Sequence, residues 1–195
     1  MLALSHIGYT LATVGSLKRL GGLQRIDYHV VAAMSLLPDL VDRSLFVFFL
    51  PDAQGGRLIA HTLLFNLVLM VVLVAIRRRW WIYGVASALH LVLDGAGHSL
   101  AWARHTLWPV LGAGLSNIAI APGEGQVSLA LPGQVLPRLG DVFDPYLSAP
   151  LWAWLLELGG AAIILGFLCS RWRRRRTPRL ARSLISRFTG RRAMS

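Results

Sequence analysis

Five apolar stretches separated by short polar or basic breaks organise this chain: Leu2–Leu17, Tyr28–Leu37, Leu58–Ile76, Trp80–Leu93 and Ala149–Cys169. Leu58–Ile76 and Ala149–Cys169 are long enough, as helices, to cross a hydrocarbon core of about 30 Å. Leu58–Ile76 carries Leu, Val and Met on every side, the pattern of a helix surrounded by lipid or protein. Tyr28–Leu37 is too short to span. It predicts a recessed or half-crossing helix that stops at Pro38, with Leu45–Leu50 along the interface, because Asp39, Asp42 and Arg43 together are costly inside lipid. The alternative is a Pro-interrupted segment running on through Leu45–Leu50. From Gly95 to Ser148 the chain is rich in Gly and Pro and predicts an outward loop with strand-like pieces such as Gln126–Leu131. A loop of that length is usually functional; a lid and a plain connector both fit.

The expected fold is therefore all-α: a polytopic helical membrane protein of about four to five embedded helices. The embedded domain covers residues 1–170, including the 95–148 loop region, and a basic tail covers 171–195. Composition agrees, with 55% hydrophobic residues, only 15% charged, and a mean hydropathy of +0.56. Lys18 and Arg19 follow the first apolar run instead of preceding it, the wrong order for a cleavable signal peptide. The single cysteine, Cys169, excludes an intramolecular disulfide and any CxxC metal knuckle.

Charge then orients the path. Of the twenty basic residues, ten lie at or after Arg171. Strict alternation of the segments puts Lys18, Arg19, Arg25, Arg77, Arg78 and Arg79 on the same side as that tail. Short basic loops stay cytoplasmic, so the chain is expected in the cytoplasmic membrane with its C-terminus inside and its acidic, His-bearing side outward. A basic tail directly behind an apolar segment suits anionic lipid of the inner leaflet better than nucleic acid, despite a net charge of +11. Leu180, Leu184 and Phe188 among arginines suggest a basic amphipathic helix lying on that leaflet, or a solvated tail.

The outward side gathers His6, Asp39, Asp42, His61, His90 and Asp94 at similar depth. His90 and Asp94 are one helical turn apart and share a face. Each residue alone has a plainer reading: a His–carboxylate hydrogen bond, a helix cap for Asp39 or Asp42, an interfacial histidine for His61. Their convergence is the point, since ionisable groups at membrane depth are costly unless paired or liganded. Imidazole nitrogens with carboxylate oxygens suit a divalent metal, zinc first, with manganese and iron as other fits, over calcium or magnesium.

At these residues the chain resembles the YdjM-like family of inner-membrane metal-dependent hydrolases, itself distantly similar to zinc-dependent phospholipase C. The matching stretches are His6-Ile7-Gly8, Leu36-Leu37-Pro38-Asp39-Leu40-Val41-Asp42, Gly56-Arg57-Leu58-Ile59-Ala60-His61-Thr62-Leu63-Leu64 and His90-Leu91-Val92-Leu93-Asp94, with Trp108-Pro109 after them. The resemblance implies His6, Asp39, His61, His90 and Asp94 as metal ligands and Asp42 as ligand or base. Many members read His-Arg-Gly-x-Thr-His-Ser where this chain has Gly56 to Thr62, one histidine fewer, which favours one metal over several.

The expected function is a membrane-bound metal-dependent hydrolase acting on a phosphoester of a lipid or lipid-linked substrate at the outer leaflet. Asp42 is its expected base, and Arg57 or Arg104 would neutralise the phosphate. The rival is a non-enzymatic membrane protein, a transporter or assembly factor, whose His/Asp cluster holds a structural metal or relays protons. A third reading makes the tail a docking segment for a partner or nucleic acid. Neither substrate identity nor oligomeric state is legible.

Overall fold

The computed structural model describes residues 3–21, 26–49, 58–95, 106–108, 110 and 132–190. Among them there is no strand. Six α-helices follow one another: α1 (Ala3–Gly21), α2 (Tyr28–Phe48), α3 (Leu63–Ile76), α4 (Trp81–Gly95), α5 (Pro132–Leu147) and α6 (Leu151–Gly190). Helix α1 packs between α6 and the α2–α4 pair, α3 lies against α4, and α5 lies on the end of α2. Leu11 and Val14 of α1, Val31 of α2, and Ile82 and Ala86 of α4 form the apolar core, with Ile164 of α6 against it.

Three expectations change. Helix α2 does not stop at Pro38 but runs through it to Phe48, with Pro38 buried. The anticipated cost of Asp39, Asp42 and Arg43 is offset because these groups meet partners inside the bundle instead of lipid. Next, the third apolar stretch is helical only from Leu63; residues 58–62 form a tight turn with a 3₁₀ piece at Ile59–His61. Finally, the region expected as a loop contains α5, held by Val135 and Val142 against Phe46, Val47 and Leu58. Arg138 of α5 also donates to the Phe46 carbonyl at 2.9 Å, capping the end of α2. Gln126–Leu131 lies outside the described residues. Helix α6 continues without a break past Arg171, the expected start of the tail.

Over Leu151–Arg173, α6 is the one helix among the described residues long and apolar enough to cross a membrane. Only 17% of its most apolar window is buried in the protein, unlike the core helix of a soluble domain. Helix α3, with 14 residues, rises about 21 Å. It too turns its apolar side chains outward, Leu67, Val68 and Val71 among them.

The bundle has two distinct ends. At one, the start of α1 meets the start of α6 and the end of α4, through Glu157 to Leu4 and Ser5 and through His6 to Asp94. At the other, the end of α1, the start of α2 and the later part of α6 meet, with Lys18 and Arg171 each within 6 Å of the Tyr28 ring centre.

Candidate metal centre

The turn before α3 is built around one carboxylate. Asp42 accepts from the backbone N–H of Leu58 (2.6 Å), Ala60 (2.8 Å) and His61 (3.1 Å), and from His61 Nδ1 (2.7 Å). Four donors converge on it, so its oxygens serve wholly as acceptors. The same turn is held from below. Thr62 caps α3 by accepting from Phe65 N–H, Asn66 donates to the Ala60 and Thr62 carbonyls, and Ser87 of α4 donates to Asn66. These contacts leave the His61 ring one orientation, with Nε2 facing the bundle interior.

His90 is set by a different element. Its Nδ1 donates to the Ser35 carbonyl of α2 at 2.7 Å. A carbonyl only accepts, so the neutral His90 ring keeps its proton on Nδ1 and points a lone pair outward from Nε2. His61, donating through Nδ1 to Asp42, does the same.

With both rings neutral the two lone pairs would face each other: His61 Nε2 and His90 Nε2 are 3.2 Å apart, both rings buried. Two acceptors at that distance repel unless a cation lies between them. Asp39 adds an oxygen 3.3 Å from His61 Nε2 and 3.6 Å from His90 Nε2. The circle through these three atoms has a radius of about 2.0 Å, matching zinc–nitrogen and zinc–oxygen lengths of about 2.0–2.2 Å. One ion can therefore reach all three. Asp94 brings an oxygen to 3.9 Å from His61 Nε2, and its other oxygen lies 3.1 Å from His6 Nε2. His6 stacks on His90 with ring centres 4.0 Å apart, and its buried Nδ1 has no hydrogen-bond partner among the described residues. Two overlapping donor groups result, His6/His90/Asp94 and Asp39/His61/His90, and both can hold a metal ion. The orientation of His61 by a carboxylate and of His90 by a carbonyl is the support that ligating imidazoles usually have.

Burial disfavours a charged His61 ring, but hydrogen bonds to Asp39 and Asp42 outweigh it and raise its pKa to about 9. A proton on Nε2 is thus what relieves the His61–His90 clash when no other cation does.

Of the residues singled out in the sequence, His6, Asp39, His61, His90 and Asp94 come together. Asp42 bonds to His61, through its backbone N–H and ring Nδ1, and stands behind the ring, where it orients. Arg57 and Arg104 lie outside the described residues, as do His98 and His105; the cation in contact with the cluster is Arg43, 3.2 Å from Asp39. Ser35, Asn66, Ser87 and Glu157 were missed as supports. Asn66 and Glu157 had a signal, since each is a lone polar residue within an otherwise apolar run. Ser35 had none, because it acts through its backbone.

No family model, curated protein or solved structure matches the chain. The likeness to the YdjM-like family therefore stands on the quoted motifs alone.

Proposed function

We propose that this protein is a membrane-embedded, metal-dependent hydrolase of phosphoesters, with its site at headgroup depth on the extracytoplasmic side. The observation that carries the metal half of this reading is the pair of facing Nε2 atoms, with Asp39 completing a ring whose radius matches a metal–ligand bond. His61, His90 and Asp39 hold the cation, zinc by the softness of the donors, and Asp94 and His6 complete the shell. Such a cation supplies Lewis acidity, lowering the pKa of water from 15.7 toward ~7. The chain's own part is to hold three imidazoles rigid and to release the His61 Nε2 proton as the cation enters. Asp39, at 19% exposed the most accessible of the donors, marks the side from which substrate approaches. Arg43 beside it offers a guanidinium to a phosphate oxygen, the role expected from sequence of Arg57 or Arg104.

Helices α1 to α4 are read as embedded with α6, because the apolar sides of α3 and α6 are exposed and Lys18, Arg19 and Arg171 lie at the end away from the cluster. A lipid or lipid-linked phosphoester is the substrate that such a position would meet, and the motif likeness to metal-dependent hydrolases points the same way.

The facing lone pairs also fit a proton, which keeps a proton-relay or transport role as the second reading. Metal analysis of detergent-purified protein separates them. The proposal expects about one zinc, manganese or iron per chain, lost in His90→Ala, together with phospholipid or phosphodiester hydrolysis that chelator abolishes and metal restores. Purified protein that neither retains nor rebinds metal overturns it. Stoichiometric metal without ester hydrolysis leaves the non-enzymatic reading.

A further inference from the structure

The end of the bundle away from the metal centre carries a second site. Helices α1 and α6 cross in near backbone contact at Gly8 and Gly160, where a Cβ on Gly8 would collide with the Gly160 carbonyl oxygen. Two turns further along α1 there is room: an added Cβ at Gly15, on the same face as Gly8, would meet nothing within 4 Å. A cleft of about 800 Å³ opens there. Its walls are apolar, with Leu11, Ala12 and Phe167, and its rim carries Lys18, Arg19 and Arg171. Tyr28 joins wall to rim; its ring lies edge-on to Phe167 at 4.6 Å and under both Lys18 (5.7 Å) and Arg171 (5.8 Å). Among the described residues no carboxylate forms an ion pair with Lys18, Arg19 or Arg171.

We propose that this cleft binds one anionic glycerophospholipid of the inner leaflet, its phosphate among Lys18, Arg19 and Arg171 and one acyl chain between α1 and α6. Cations at the end of α1 also complement the helix dipole, but that account does not bring Arg171 in from another helix. An apolar slot closed at one end by a glycine crossing and open at a cationic rim matches an amphiphile, not a soluble anion. The inference rests on the bilayer reading of α6 but not on any chemistry at the metal centre.

Native mass spectrometry of the full chain, released from phosphatidylcholine nanodiscs doped with phosphatidylglycerol, tests it. The expected result is preferential retention of phosphatidylglycerol, falling about 30-fold in Lys18→Gln/Arg171→Gln, which removes two cations from the rim. Gly15→Leu, which has room for its side chain, fills the slot and lowers retention with all cations intact. Arg77→Gln/Arg78→Gln, outside the cleft, leaves retention unchanged. Equal retention of the two lipids, or equal losses in both arginine-containing double variants, overturns the site. Displacement of the lipid by glycerol phosphate alone overturns the choice of a lipid over a soluble anion. Alkaline carbonate extraction is run alongside: a chain released from membranes defeats the bilayer reading, whereas one that stays without lipid preference defeats only the cleft.

Discussion

The two ends of the α1–α6 pair differ in how they treat charge. At the start of α1 the helices touch, and Glu157 and His6 are buried against partners: Glu157 accepts from the Leu4 and Ser5 N–H groups at 2.7 and 2.9 Å, and His6 meets Asp94. At the far end, Lys18 and Arg171 lie over the Tyr28 ring, and among the described residues no carboxylate pairs with Lys18, Arg19 or Arg171. Close packing makes polar groups depend on one another, because an unpaired buried charge is costly. Loose packing leaves cations free for a ligand from outside. The first end is built for rigid geometry and the second for capture.

Substitutions that test this contrast fall in order of size. The largest effect is expected for Asp42→Ala, which strands three backbone N–H groups and the His61 ring; a loss of about 3–5 kcal/mol is in scale for a broken buried charge. Thermal unfolding in detergent would show it, and an unchanged midpoint would mean that the turn holds itself. Gly160→Ala comes next. Its Cβ would lie 2.5 Å from the Leu4 carbonyl oxygen and the Ser5 Cα, so α1 must shift, at about 1–3 kcal/mol, carrying His6 with it. Metal content should fall alongside stability.

Asp42→Asn keeps the shape but weakens the hold on His61, and a loss of about 10- to 100-fold in metal affinity is expected by competition titration. A pH series sharpens the comparison further. The metal-free protein draws stability from protonated His61, whose pKa lies above its ordinary 6.5. That contribution is complete below pH 6.5 and disappears as pH rises through about 9. Saturating metal, which takes the proton's place, should flatten the decline. The smallest effect belongs to the other end: Lys18→Gln should change the unfolding midpoint by less than about 0.5 kcal/mol in equivalent stability and leave metal content unaltered.

Helical segments with polar residues at recurrent ends were legible from the pattern of apolar runs. So was the gathering of His6, Asp39, His61, His90 and Asp94, because alternating helices return like ends to one side. The extent of α2 was not. A proline followed by two acids reads as a stop when only local propensity is weighed, and it becomes a tolerated interior position once His90 and the 58–62 turn supply partners.

The sequence by itself thus determined an all-helical chain, an apolar helix fit for a membrane, and which residues stand at each end. Only the tertiary structure decided which imidazole nitrogens face inward, that Asp42 orients His61, and that a cleft opens between α1 and α6 beyond Gly8. Those outcomes depend on single contacts between residues far apart in the chain, Ser35 with His90 and Leu4 with Glu157. Periodicity records which side of a helix is buried, but not the partner that meets it there.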